Sequence, residues 1–530
     1  MTIDIYKKNL LDCFPRIISC CDRNKYSPSF GCFDRSFWHY KIIDTPSVRL
    51  QEGSLILTLL YLDSETQFFH KKEIRELING GLRFWLKIQN REGSFNEWYP
   101  YEKSFVATAF SSYAISETLL LLPDIKEKEK VIAGLRKAAD WLCGKRDKQA
   151  LNQNIGALAA LYNIFLLTGD SRYQQECDKI IEFLKKEQNQ EGWFFEYGSA
   201  DIGYLSLSLD YLAKYYLKSK NEEVRPLLEK GLLFLSYFIH PDGSVGGIYG
   251  SRNTAYFIPC GIEILANFMP LADKMSSVLR ESIQNNRIIS LKTLDDRYLI
   301  QNGYTYLEAS RQLKQRDKES ENIELPSFSF KDKHFPNAGI LIKSTPKFYC
   351  IVNYKKGGVF YFYDRSKKIS IYNSGLLLRV EKKIYSSCYI SGQNEIYFSP
   401  DGKTLSIKGR LKEAVDYHPT PFRFVVLRIL LGITNFLPYF DALIKSVFRT
   451  LLISQKTRSS LYFERSFNID NDVLIKDMFS PQVFDEGQVG GIQELIYTPS
   501  SRYFNNNLSD SNAKPIEKKE LAQGEVEYRL

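Results

Sequence analysis

From His240 to Tyr256 the chain reads His-Pro-Asp-Gly-Ser-Val-Gly-Gly-Ile-Tyr-Gly-Ser-Arg-Asn-Thr-Ala-Tyr, its densest run of side chains able to do chemistry. Tyr249 and Tyr256 are phenols, Arg252 is a fixed cation and Asn253 both donates and accepts hydrogen bonds. Glycines at 243, 246, 247 and 250 would let a loop fold tightly and bring its backbone close to a ligand. Apolar segments at 224–239 and 256–268 read as helices, which makes the stretch a loop between them. The plainer reading is an ordered turn whose Arg252 caps a helix or pairs with a core carboxylate, and His240, before Pro241 at a helix end, suits capping equally.

Repetition favours function. Helix-like segments end at Gln-Asn-Arg-Glu-Gly93, Cys143-Gly144, Gln-Asn-Gln-Glu-Gly192 and His-Pro-Asp-Gly243, with steps of 51 (93 to 144), 48 (144 to 192) and 51 (192 to 243). A period near fifty suits a pair of antiparallel helices and a polar loop. The expected hairpins are 71–89 with 104–122, 128–143 with 155–167, 173–188 with 204–217, and 224–239 with 256–268, followed by 271–285 with 298–313. A helix at 46–62 comes before them, with the aromatic loop 30–40 ahead of it, which places 34–41 before an inner helix as the glycine loops are. Stacked hairpins give an open solenoid or a closed α/α toroid, and either gathers the glycine loops at one end. That end would then hold Glu97 and Trp98, Asn152 and Asn154, Trp193, Glu196, Asp201 and Tyr204, together with the 240–256 stretch.

At 530 residues, 44% hydrophobic and 25% charged, the chain has the composition of an ordinary multidomain globular protein. A net charge of +9 is modest for this size, and no nucleic-acid module accompanies it, so nucleic acid is not an expected partner; a polyanionic glycan or an anionic membrane surface is. Nine scattered cysteines show no Cys-x-x-Cys pair, and neither a metal nor a cofactor is expected. The N-terminus lacks a signal-peptide pattern, so the expected location is cytoplasmic, with peripheral attachment to the inner membrane.

The toroid is expected over 1–313, a charge-rich linker over 314–330, and an antiparallel β-sandwich over 331–504. Strands are expected at 339–344, 348–354, 359–363, 370–373, 376–380, 395–398, 404–408 and 461–469, and a frayed tail at 505–530. A helical insertion at 411–458 interrupts the sandwich, and its segment 421–453 is strongly apolar. Seven basic and three acidic residues give the insertion a net +4. An arginine within the apolar run and Pro438 near its end argue against a membrane span, leaving an interfacial helical hairpin or an insertion packed on the toroid.

Four stretches carry a family resemblance: Ile202-Gly-Tyr-Leu-Ser-Leu-Ser-Leu-Asp-Tyr-Leu-Ala, His240-Pro-Asp-Gly-Ser-Val-Gly-Gly, Tyr249-Gly-Ser-Arg-Asn-Thr and Asn353-Tyr-Lys-Lys-Gly-Gly-Val-Phe. With the helical array and β-domain around them, the chain resembles the toroid-plus-sandwich polysaccharide lyases, and in particular heparinase II/III-like proteins of bacterial surface-polysaccharide gene clusters. The resemblance implies β-elimination beside a uronic acid. An Asn, Gln or Arg offsets the carboxylate charge, a Tyr or His removes the ring proton, and a Tyr or His returns one to the leaving oxygen. It implies Asn152 or Asn154 with Asn253 as neutralisers, Arg252 as charge partner, and Tyr256, Tyr249 or Tyr204 as base or acid, with His240 as a further candidate. A tyrosine base needs its pKa of about 10 lowered by a nearby cation, and Arg252 stands four positions before Tyr256. None of the five histidines sits in an Asn-His pair, a departure from the lyase pattern. Glu97, Glu196 and Asp201 allow a toroid glycoside hydrolase instead, and a non-catalytic glycan-binding or assembly protein is the alternative outside enzymes. The Gln-Asn-Gln-Glu-Gly-Trp193 turn echoes terpenoid cyclases, but their Asp-rich motif is absent.

Overall fold

The computed structural model describes residues 4–314, 323–414, 420–434, 458–470, 472–480, 484–491 and 513–530. The helical part contains α1 (Ile5–Cys20), a short α2 (Arg35–Trp38), a tight turn at Val48–Glu52, α3 (Gly53–Tyr61), α4 (Lys72–Lys87), α5 (Phe105–Leu121), α6 (Lys128–Leu142), α7 (Asn152–Thr168), α8 (Ser171–Glu187), α9 (Ile202–Ser219), α10 (Arg225–Ser236), α11 (Cys260–Leu265), α12 (Pro270–Gln284) and α13 (Asp296–Lys314). Helices α3, α5, α7, α9, α11 and α13 each pack on the next, and α13 packs on α3, so the inner ring is closed. The outer helices α1, α4, α6, α8, α10 and α12 lie against it. This is the α/α toroid.

Sequence decides which helix goes inside. In α5 every residue from Ala107 to Leu119 is buried, and the helix is apolar or small all round. In α8 burial is confined to the stripe Tyr173, Glu176, Cys177, Ile180, Ile181 and Leu184. The inner ring is tight enough that a Cβ on Gly156 of α7 would lie 2.9 Å from the Phe110 ring of α5.

The repeated turns have a common construction. Gln89 Nε2 donates to the carbonyls of Gly93 (3.0 Å) and Gly134 (2.9 Å), tying its turn to the next outer helix, and Gln188 Nε2 does the same to Gly192 and Leu227 (2.9 Å each). Gly93 and Gly192 have φ of 103° and 108°, and a Cβ on either would collide with a carbonyl of the neighbouring outer helix, Lys137 or Lys230. These two glycines therefore serve helix packing, not approach to a ligand. Gly144 stands apart from the set, with nothing near a Cβ placed on it.

One helix is shorter than expected. The inner helix predicted at 256–268 begins only at Cys260, because Pro259 biases Ile258 toward extended backbone. Tyr256 consequently does not open that helix; it forms a parallel bridge with Ile289.

The β-domain holds two antiparallel sheets. The first has the order β1 (Lys333–Phe335), β2 (Ile340–Ser344), β3 (Phe348–Asn353), β4 (Val359–Asp364), β5 (Ile369–Asn373). It lies between the toroid and the second sheet, so both faces are covered and every residue of β3 is buried. Phe335, Ile340, Ile342, Tyr349, Ile351 and Tyr361 join the toroid core, whereas Leu341, Cys350, Val352, Phe360 and Phe362 join the core between the sheets. The second sheet contains β6 (Leu376–Val380), β7 (Lys383–Ser386), β8 (Glu395–Phe398), β9 (Thr404–Ala414), β10 (Arg458–Ile469), β11 (Val473–Phe479), β12 (Glu486–Gly490), β13 (Ala513–Pro515) and β14 (Glu525–Arg529).

Two boundaries need correction. Residues 411–414 and 458 belong to β9 and β10, not to the helical insertion. The tail is not frayed from 513 onward: β14 pairs with β11, and Val526, with Leu521 of α15 (Lys518–Gln523), enters the sandwich core. Within 421–453 the described part is α14 (Pro421–Thr434); 435–453, like most of the expected linker, lies outside the described residues.

Candidate functional site

The loops at the N-terminal ends of the inner helices are stitched to one another. Leu151 N donates to Phe195 O (3.1 Å) and Tyr197 N to Gln149 O (2.7 Å), joining the second loop to the third. Ser251 N donates to Ala200 O (2.9 Å) and Ser251 Oγ to Glu196 O (2.6 Å), joining the third to the fourth. The first sheet holds the fourth loop from the other side: Asn353 Nδ2 donates to Tyr249 O (2.7 Å), and Lys356 Nζ donates to Ile248 O (2.7 Å), Gly250 O (2.6 Å) and Asn253 Oδ1. These loops thus meet at one end of the toroid, beside the β-domain.

Asp201 organises their centre. Its carboxylate caps α9 by accepting from Tyr204 N (3.2 Å), and it also accepts from Arg252 N (2.8 Å) and the Thr254 hydroxyl. Asp201 is therefore committed to holding the 252–254 turn. Asn253, at φ 58°, sits in that turn with its side-chain oxygen on Lys356.

Asn152, Glu196 and Arg252 form a buried polar group. Asn152 Nδ2 donates to Glu196 Oε2 (2.5 Å). The Arg252 guanidinium lies 4.8 Å from the Tyr197 ring centroid and is close enough to Glu196 to favour its ionised form. Burial nevertheless dominates, and it holds the Glu196 carboxyl well above the usual carboxylate range. Arg252 is 5% exposed and Glu196 3%, yet Arg252 Nε and Nη1 and Glu196 Oε1 make no hydrogen bond. An unsatisfied buried polar group costs on the order of 1–3 kcal/mol, and more when charged. Three such atoms belong to this one buried group.

Two further groups of aromatic and charged side chains lie on the neighbouring elements. Tyr204, half-buried in the first turn of α9, meets Tyr256 edge-on with centroids 6.3 Å apart. Across the ring closure, Arg297 of α13 pairs with Glu97 and lies 3.9 Å from the ring of Trp98, which is half exposed.

Other expected site residues turn out to be internal. Asn154 is buried, with both amide atoms on the Asp147 backbone (3.0 and 2.6 Å), closing its own loop. Trp193 is in the core, its Nε1 donating to Glu191 (2.8 Å). His240 and Tyr249 are fully buried and hydrogen-bonded to each other. Of the three carboxylates of the hydrolase alternative, Asp201 caps α9, Glu97 pairs with Arg297 and Glu196 accepts from Asn152.

His240 has a defined network. Ser244 Oγ donates to Asp242 (2.6 Å), so His240 Nδ1–H must donate to Ser244 Oγ (2.7 Å), while the bare Nε2 accepts from Tyr249 OH (2.7 Å). The ring stacks on Tyr361 at 3.8 Å. Burial lowers its pKa from 6.5 to about 4, opposed by Asp242. Between those values the unfolded chain binds a proton that the folded one refuses, so stability should fall as pH drops from about 6.5 toward 4, by about 3 kcal/mol in total. Asp242, held below the usual carboxylate range, loses its contribution only at lower pH. Denaturant melts at pH 7.5, 5.5 and 4.5 should show this decline, and a His240→Asn variant should flatten it.

The sequence did not single out Tyr197, Thr254, Arg297 or Lys356 as site residues. Lys356 is fully buried with no carboxylate at ion-pair distance among the described residues, and burial pushes its pKa down. Its signal was the Asn353-Tyr-Lys-Lys-Gly-Gly turn, whose role depends on a loop some hundred residues earlier in the chain. Lys356→Met should strip three charge-assisted bonds from the 248–253 loop and lower stability by about 3 kcal/mol, measurable as a shifted denaturation midpoint.

Residues 80–312 match the ulvan lyase N-terminal domain family. Among solved structures, the xanthan lyase of Paenibacillus superposes with a TM-score of 0.54 at 10% identity, covering 91% of this chain and 46% of that one. A mutant chondroitin AC lyase of Streptomyces coelicolor A3 gives a TM-score of 0.53 at 11% identity, covering 91% of this chain and 68% of that one. This chain therefore spans about half the length of the xanthan lyase. No curated protein sequence matches it. The fold is that of the toroid-plus-sandwich polysaccharide lyases.

Proposed function

We propose that the protein is a polysaccharide lyase acting on a uronate-containing glycan, of the heparinase II/III-like kind, in bacterial surface-polysaccharide metabolism. The observation that carries this reading is the set of unused donors and acceptor at Arg252 and Glu196, beside Asn152. A uronate carboxylate is the ligand such a group fits: Arg252 supplies charge and N–H donors, and a Glu196 held neutral can donate its own proton to the carboxylate.

In this reading the bound carboxylate loses much of its negative charge, and the adjacent ring proton becomes removable. Tyr204, the more accessible of the paired phenols, is the base, and in its phenolate form it takes that proton. The electron pair left behind forms the ring double bond and expels the glycosidic oxygen. Tyr256 returns a proton to that oxygen, and Trp98 with Arg297 offers a stacking surface for a neighbouring sugar.

The test is to incubate the purified protein with uronate-containing and neutral glycans while following unsaturated-product absorbance and reducing ends together. The lyase reading expects both signals to rise in step on acidic glycans alone. Reducing ends without unsaturation would establish a hydrolase, and tight binding with neither signal would establish a binding protein.

A further inference from the structure

Helix α14 carries its apolar residues on the outside. Phe422, Val425, Val426, Ile429, Leu430 and Ile433 are all exposed on one side, Phe422 by 75% and Ile433 by 64%; on the opposite side Leu431 is buried and Phe424 is 47% exposed. At about 100° per residue the exposed set forms one continuous stripe roughly 140° wide. Arg423 falls at one edge of the stripe and Arg428 about 60° beyond the other, and the helix has no acidic residue. Arg428 reaches Asp44 at 3.0 Å, which brings the stripe beside a loop where Tyr40, Lys41, Ile42 and Ile43 are exposed, Ile42 by 73%. The toroid and sandwich cores do not account for this face.

We propose that α14 and the 40–43 loop together form a surface that inserts into the headgroup region of an anionic lipid bilayer. A 14-residue helix is about 21 Å long, too short for a hydrocarbon core of about 30 Å, and among the described residues no helix is long and apolar enough to cross a membrane. A broad apolar stripe between basic edges is the pattern of a helix lying in the interface: the stripe sinks below the headgroups while Arg423, Arg428 and Lys41 stay level with the phosphates. Charge favours an anionic surface over a second copy of the chain: Arg423, Arg428 and Lys41 outnumber Asp44, the acidic residue of this face, which pairs with Arg428, and a second copy would present the same cationic excess. Such a surface would hold the toroid cleft close to glycans made or processed at a membrane.

The experiment is flotation of the full-length protein with phosphatidylcholine vesicles and with vesicles containing phosphatidylglycerol. The intact protein should float with the anionic vesicles and be released by high salt. An Ile429→Asp/Ile433→Asp variant should bind at least tenfold less while melting unchanged, because both side chains already face solvent. An intact protein that stays with neither vesicle type overturns the proposal, and equal binding to both overturns the assignment of anionic lipid. Unaltered flotation of the double variant, with sedimentation velocity showing that the substitutions dissolve a dimer, would assign the face to self-association instead.

Discussion

An Arg252→Met variant should bind uronate-bearing oligosaccharides roughly thirty- to several-thousand-fold more weakly, yet melt no lower than the unaltered protein. The first half follows from removing one side of a desolvated charge pair formed with the bound carboxylate, a loss of about 2–5 kcal/mol. The second half follows from the cost of burying the guanidinium. Arg252 is buried with Nε and Nη1 unused, so the folded state already carries its desolvation cost without full return. Methionine keeps the stem over Tyr197, and the neutral Glu196 carboxyl is not left as an orphan charge. Titration calorimetry with an acidic and a neutral oligosaccharide, beside a thermal melt, checks both halves. A variant that unfolds would return Arg252 to the role of a structural turn residue.

Tyr204→Phe should lower turnover by about a hundred- to ten-thousand-fold, the ordinary loss on removing a positioned acid or base. Substrate affinity should change little, and the α9 cap, made through the Tyr204 backbone N–H, is kept. Tyr256→Phe, acting on the protonation of the leaving oxygen, should slow turnover as well, and most on substrates with poor leaving groups. Steady-state kinetics on a set of leaving groups separates the two. Full activity of the Tyr204 variant would remove that phenol from the chemistry.

Local chemistry made much of the toroid legible, and distant contacts hid much of the site. Gln-Asn-Arg-Glu-Gly93 and Gln-Asn-Gln-Glu-Gly192 could be matched because each builds the same turn from its own residues. The strand at 348–354 was legible as a β-branched and aromatic run, but nothing local said that both its faces would be covered. Strand β14, with Val526 alternating between charged neighbours, was missed because only pairing with β11 buries that valine. The same limit governs the site. Asn152 and Glu196 could be named by type, but their hydrogen bond spans 44 positions and exists only once the ring closes. Asn154, Trp193 and Tyr249 carry equally suggestive side chains and face inward, since a buried amide or ring looks the same in sequence as one lining a cleft. Lys356 was the least visible, because its partners are carbonyl groups of the other domain, which no side-chain pattern records.

The most direct test of a carboxylate-binding site compares one acidic polysaccharide before and after its uronates are reduced to the neutral sugars, measuring binding and product formation by the unaltered protein. Neutralising and holding the carboxylate is the work assigned to Arg252, Glu196 and Asn152, so the native polymer should bind at least about a hundredfold more tightly than the reduced one, and only the native polymer should yield an unsaturated product. Equal affinity for the two polymers would contradict the account.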